Sequence, residues 1–134
     1  CSSDLILKAL KYIVIAGITY VAATAISTLK RKQPKIHYYK AKRINAKVYI
    51  YDAIKTKSKA AMRLKANGNV FVTSSGYAYD ACKAASPIHK VSAMQKHKKE
   101  KDQGKQYYHY HPMLKWSKNK NARKQMHVHC WFLK

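Results

Sequence analysis

Two short runs carry the residues with the most chemistry in them. His109-Tyr110-His111-Pro112 and His127-Val128-His129-Cys130-Trp131-Phe132 each contain a His-x-His. Imidazole titrates near neutral pH, so one ring can take a proton while another gives one under the same conditions. In an extended chain residues i and i+2 share a face. Each run therefore sets two imidazoles side by side and turns Tyr110, Val128 and Cys130 the other way. If the two strands pair, His109, His111, His127 and His129 gather on one face. Two chemistries follow. Without metal, a neutral imidazole removes the proton of a ribose 2′-OH and a protonated one supplies the 5′ leaving oxygen, while nearby Lys or Arg stabilises the charged phosphate. With a transition metal, two or three imidazoles hold an ion that activates water. Only five Asp and Glu are present, too few for a hard-metal carboxylate site; zinc on imidazoles alone stays open, and the reading adopted expects no metal and no cofactor. A solvated polar strand is the simpler account of one His-x-His, whereas two of them favour chemistry. His37, His89 and His97 each stand alone in Lys-rich segments and read as solvated.

The surroundings of these runs are strongly cationic. The chain has 134 residues, with 28 Lys and Arg against five acids and a formal charge of +23. Its size is that of one modest domain. An ordinary metabolic enzyme mixes both signs on its surface, and a basic disordered tail would lack the 47% apolar residues and eleven Tyr found here. All but two of the bases follow residue 29, interleaved with Tyr, Trp and His that can stack on nucleobases. The expected partner is nucleic acid, and RNA rather than DNA, because histidine chemistry without metal needs the 2′-OH as internal nucleophile. Lys105 and Lys115 flank the first His strand and, with Arg123, are candidates for phosphate contact; Trp116 is a candidate for base stacking. A large cationic face also invites a strongly acidic inhibitor protein.

The elements that must position these residues are legible in part. KVYIYDAI (47–54) alternates and is β-branched, which predicts a strand. TKSKAAMRLKAN (56–67) places Ala60, Ala61 and Leu64 at helical spacing, with Thr56 or Ser58 as cap and Asn67-Gly68 as stop. NVFVTS (69–74) predicts a strand and SSGYAYDACKAAS (74–86) a helix with Tyr77, Ala78, Ala81, Cys82 and Ala85 on its stripe. Strands are expected at 106–113 and 126–133. Residues 30–42 read as a basic hinge, 88–106 as a mobile basic loop and 115–125 as a second one. The fold class is α+β: an N-terminal apolar helix, then a small, mostly antiparallel sheet with two helices. Residues 12–29 hold eighteen residues without a charge, at the threshold for spanning a membrane, though a buried core helix fits as well. The domains are thus 1–33, an apolar helix and possible membrane-translocation element able to touch a bilayer transiently through 12–29, and 34–134, the basic α+β domain. Three Cys without a Cys-x-x-Cys spacing argue against a thiolate zinc site; Cys82 and Cys130 read as buried small hydrophobes. A start at Cys1 reads as a fragment or a processed product, with a lipid-modified end conceivable.

These runs together resemble a known family. Ala61-Met62-Arg63-Leu64 in a helix, NVFVTS, Ala85-Ser86-Pro87-Ile88-His89, Tyr107-Tyr108-His109-Tyr110-His111-Pro112 and His129-Cys130-Trp131-Phe132 are similar to C-terminal toxin domains of bacterial polymorphic toxins. There an HYHP strand is followed by a closing H-x-(W/F)-(F/Y). The resemblance covers roughly residues 45–134. It implies a domain released from a large secreted precursor, delivered into the cytoplasm of a rival cell and neutralised by a cognate immunity protein; many such domains are nucleases. The family pattern falls on His109, His111, Pro112, His129, Trp131 and Phe132, and reaches His127 less closely. The stretch between the motifs is longer and more basic here than in the pattern. The expected activity is an antibacterial ribonuclease forming cyclic phosphates, with His109, His111, His127 and His129 as acid and base. The alternatives are a metal-dependent DNase toxin and a non-enzymatic, membrane-active or nucleic-acid-binding cation.

Overall fold

The computed structural model describes residues 12–15, 18–21, 29–31, 33–44, 47–102 and 105–134. Its centre is a six-stranded sheet in the order β4-β3-β5-β10-β7-β6, from β3 (Tyr38–Ile44), β4 (Lys47–Ile54), β5 (Asn69–Val72), β6 (Gln95–Asp102), β7 (Lys105–Tyr110) and β10 (Cys130–Leu133). Every pairing is antiparallel except β5 with β10, which is parallel. The α+β class and the mainly antiparallel sheet are as the sequence predicts. Short strands β8 (Met113–Lys115) and β9 (Lys124–Gln125) form a separate antiparallel ribbon.

Helices α1 (Lys57–Lys65) and α2 (Ser75–Ala85) cover one face of the sheet. Thr56 caps α1 by accepting the Lys59 N–H, and Asn67 takes the left-handed turn at φ 68° that ends it. Ala60, Ala61 and Leu64 of α1 and Ala78, Ala81, Cys82 and Ala85 of α2 pack on Val70, Val72, Cys130 and Phe132. Small side chains let both helices lie close to the strands. Tyr77, expected on the stripe of α2, is exposed and stacks on His37 with ring centroids 3.9 Å apart. Burial, with the adjoining Cys82 thiol, pushes the Cys130 thiol well up. The opposite face holds Tyr39, Ala41, Val48, Ile50, Phe71, Tyr107 and Trp131, closed by Leu29 from a helical turn at 29–31.

Three expectations are corrected. The basic hinge gives way at Tyr38 to strand β3, which pairs on both sides. The basic loop contains strand β6, paired with β7. The closing strand begins only at Cys130, because the chain bends at His127. Half of the helix expected over 12–29 lies outside the described residues; in the described half, β1 (Tyr12–Ile15) and β2 (Ile18–Val21) pair as antiparallel strands, in line with their β-branched content. Among the described residues no helix is long and apolar enough to cross a membrane. Cys1 also lies outside them.

Candidate functional site: a three-imidazole cluster on the sheet face opposite the helices

His109 is the next-to-last residue of β7, with Trp131 of β10 opposite on one side and Gln95 of β6 opposite on the other. Alternation along β7 turns Tyr108 and Tyr110 toward the helices, where both pack against that core, and leaves Tyr107 and His109 on the other face. On β10 the same alternation sends Cys130 and Phe132 to the helices and Trp131 to the face of His109.

His111 follows the end of β7 and is clamped from two directions. Its main-chain N–H donates to Ser92 Oγ (2.9 Å), and its carbonyl accepts the Ser92 N–H (3.0 Å). Its ring Nδ1 lies 2.8 Å from the Met126 carbonyl and 2.9 Å from the Val128 carbonyl. Carbonyl oxygens only accept, so Nδ1 carries the hydrogen and Nε2 is left with the lone pair in the neutral ring. His129 is fixed through its backbone: its N–H donates to Asn69 Oδ1 (2.8 Å) and its carbonyl accepts the Val70 N–H (3.1 Å). Its ring lies flat on the buried Trp131 indole, with centroids 4.8 Å apart and planes at 9°.

The three rings converge. Centroid separations are 4.8 Å for His109–His111, 4.6 Å for His109–His129 and 4.6 Å for His111–His129. One nitrogen from each can be chosen so that all lie within 4.8 Å of one another. His109 and His111 are 2% and 4% exposed, while His129 is half-buried and forms the open side. Of the four histidines expected to gather, three do. His127 is exposed at the bend, because the carbonyls on either side of it, Met126 and Val128, both turn to the His111 ring.

The expected binding residues are scattered. Lys105 opens β7 opposite Asp102, with Tyr107 and Tyr108 between it and His109. Lys115 is exposed at the end of β8, opposite Lys124. Trp116 and Arg123 come together, with Arg123 Cζ 3.6 Å from the indole centroid. Ser92, Gln95 and Asn69, which place or adjoin the cluster, escape sequence reasoning: Ser92 and Gln95 fall in a stretch read as loop, and Asn69 reads as the first residue of a strand.

The arrangement can hold protons on adjacent imidazoles or coordinate a borderline transition metal. Histidine nitrogens suit zinc and its neighbours, and a ligand ring commonly gives its other N–H to a backbone carbonyl, as His111 does. No protein-family model, curated protein or solved structure matches this chain.

Proposed function

We propose that this chain is the toxin domain of a secreted antibacterial protein and that it cleaves RNA at the His109–His111–His129 cluster by proton transfer. The observation that carries the reading is the convergence of three imidazoles from two segments inside a domain of charge +23. Imidazolium charges about 4.7 Å apart would repel by roughly 3–4 kcal/mol per pair at an effective dielectric near 20. The cluster therefore favours neutral bases beside a single protonated acid. His111, with Nδ1–H committed to two carbonyls, offers Nε2 as base; half-buried His129 is the acid that meets substrate. The 2′-oxygen attacks phosphorus as its proton passes to His111. The 5′-oxygen leaves with the proton of His129, giving a 2′,3′-cyclic phosphate and a 5′-hydroxyl. The charge on the pentavalent phosphate calls for a cationic partner, which a chain with 28 Lys and Arg can supply. The partners that follow are RNA in the target-cell cytoplasm and an acidic immunity protein.

The test is incubation with total RNA and with plasmid, each with and without EDTA, and mapping of the ends. RNA cut in EDTA to cyclic-phosphate ends is the expected result. The second reading, a metal-dependent DNase, is favoured by the shared reach of the three ring nitrogens and the carbonyl-held His111 Nδ1. Plasmid cleavage lost in EDTA and restored by zinc would establish it instead.

A further inference from the structure

A cleft of about 260 Å³ adjoins the imidazole cluster. It is smaller than the roughly 300–1,000 Å³ of drug-sized sites, room for one flat ring system with a small substituent. Ser92 and Gln95 form one wall. Ser92 is the residue that clamps the His111 main chain, and Gln95 is the register partner of His109. The cleft thus shares its backbone framework with the cluster.

Two features of its lining point to a ligand. The first is cationic. Trp116 is 42% exposed, and the Arg123 guanidinium sits over its indole with Cζ 3.6 Å from the ring centroid, held there by Nε donating to the Ser117 carbonyl (2.8 Å). The guanidinium plane is fixed, and among the described residues its two terminal nitrogens meet no acceptor. Lys90 Nζ stands 5.1 Å from the same indole and Lys120 lines the same cleft, with no carboxylate among the described residues of its wall. Three like charges gathered without a counter-charge cost self-repulsion that packing alone does not require. A planar, preorganised fork is the geometry that binds phosphate. The second feature is polar and neutral. Gln95 Nε2 donates to Gln125 Oε1 (3.1 Å) across the cleft. Whichever way the amides are turned, the pair keeps one amide oxygen and one NH2 group outside that bond, an acceptor and a donor of the kind that reads a nucleobase edge.

We infer, on the reading that the chain cleaves RNA, that this cleft holds the nucleotide next to the cleaved bond, its phosphate on Arg123 and Lys120 and its base edge on the Gln95–Gln125 amide pair. The cleft then sets both the register of the strand over His129 and the base preferred beside the cut.

The full chain is titrated calorimetrically with the four ribonucleoside 3′-monophosphates and with inorganic phosphate. At least one nucleotide should bind more tightly than phosphate, and the four should differ. Arg123→Ala should weaken all of them by roughly 10–100-fold, as loss of a charged hydrogen-bonding partner does, and Arg123→Lys should recover only part, since it restores charge without the fork. Gln125→Ala should level the four bases and keep phosphate binding. Equal binding of phosphate and all four nucleotides would overturn the base site, as would Arg123→Ala and Gln125→Ala binding like wild type. On RNA, wild-type cleavage with unchanged rate and cut-site pattern in both variants would remove this inference and spare the ribonuclease. Nucleotide binding that depends on Arg123 and Gln125 in a protein that cuts no RNA would do the reverse.

Discussion

The three clustered histidines are held in unlike ways, and substitution should separate them. His111 gives its Nδ1–H to two carbonyls in a buried setting. His111→Ala should abolish cleavage and also cost about 1–3 kcal/mol in urea unfolding, because buried acceptors lose their donor. The His129 ring makes the open side, and its backbone bonds survive truncation. His129→Ala should therefore unfold close to wild type while cleavage falls by about 10²–10⁴-fold, the usual contribution of a general acid or base. His127→Ala should cleave RNA at the wild-type rate, and a large loss would show that a fourth imidazole acts. A pH effect belongs at this scale too. Burial pushes the Tyr39 phenol from 10 up to about 12. A group with a raised folded value adds stability in full below its unfolded value and loses it as pH climbs through the folded one. About 2–3 kcal/mol should thus disappear between pH 10 and 12. Thermal melts across that range should show it, and Tyr39→Phe should lack it; burial raises Tyr38 and Tyr110 in the same direction.

At the scale of elements, the site depends on the turn between α1 and β5. Arg63 of α1 donates to the Asn69 carbonyl (2.7 Å), the Ala41 carbonyl (3.2 Å) and Tyr51 Oη (2.8 Å), joining the helix to three strands. A Cβ at Gly68 would come within 2.7 Å of Arg63 Cγ. Gly68→Ala should displace that side chain and lower stability by about 1–3 kcal/mol, the range for lost bonds to a charged donor. Because Asn69 also fixes His129, the variant should slow cleavage as well; denaturant curves and rates on the same protein would check both. The elements also show what the sequence makes legible. Both helices stand out by apolar spacing, and α1 also by its Thr56 cap and its Asn67-Gly68 stop. Strand β7 does so because Tyr and His alternate. Strand β6 does not: Gln95–Asp102 is polar at every position, so no period-two signal exists, and its pairing comes from β7. Strand β3 is hidden under Lys40, Lys42 and Arg43, though Tyr39 and Ala41 are buried on one face and Tyr38 on the other. The second His-x-His was half legible. His129 obeys the alternation of β10, whereas the position of His127 is decided by the His111 ring, fifteen residues and more away from the carbonyls it holds.

For the whole molecule, charge dominates. With +23 and five acids, RNA binding should be driven by counterion release. If six to ten phosphates are neutralised, affinity should fall by about 10³–10⁵ between 50 and 200 mM salt. Fluorescence anisotropy on a labelled RNA would measure the slope, and a flat one would count against polyanion recognition. The cationic class was legible from composition alone, and the α+β class from the order of strand and helix patterns along the chain. The order of strands was not, since β10, late in the chain, is inserted between β5 and β7 by contacts remote in sequence. Translation or proteolysis that stops short of Cys130 leaves two separate half-sheets, β4-β3-β5 and β7-β6, and takes away the indole that supports the His129 ring. Closure of the sheet and support of the His129 ring therefore arrive together, with β10.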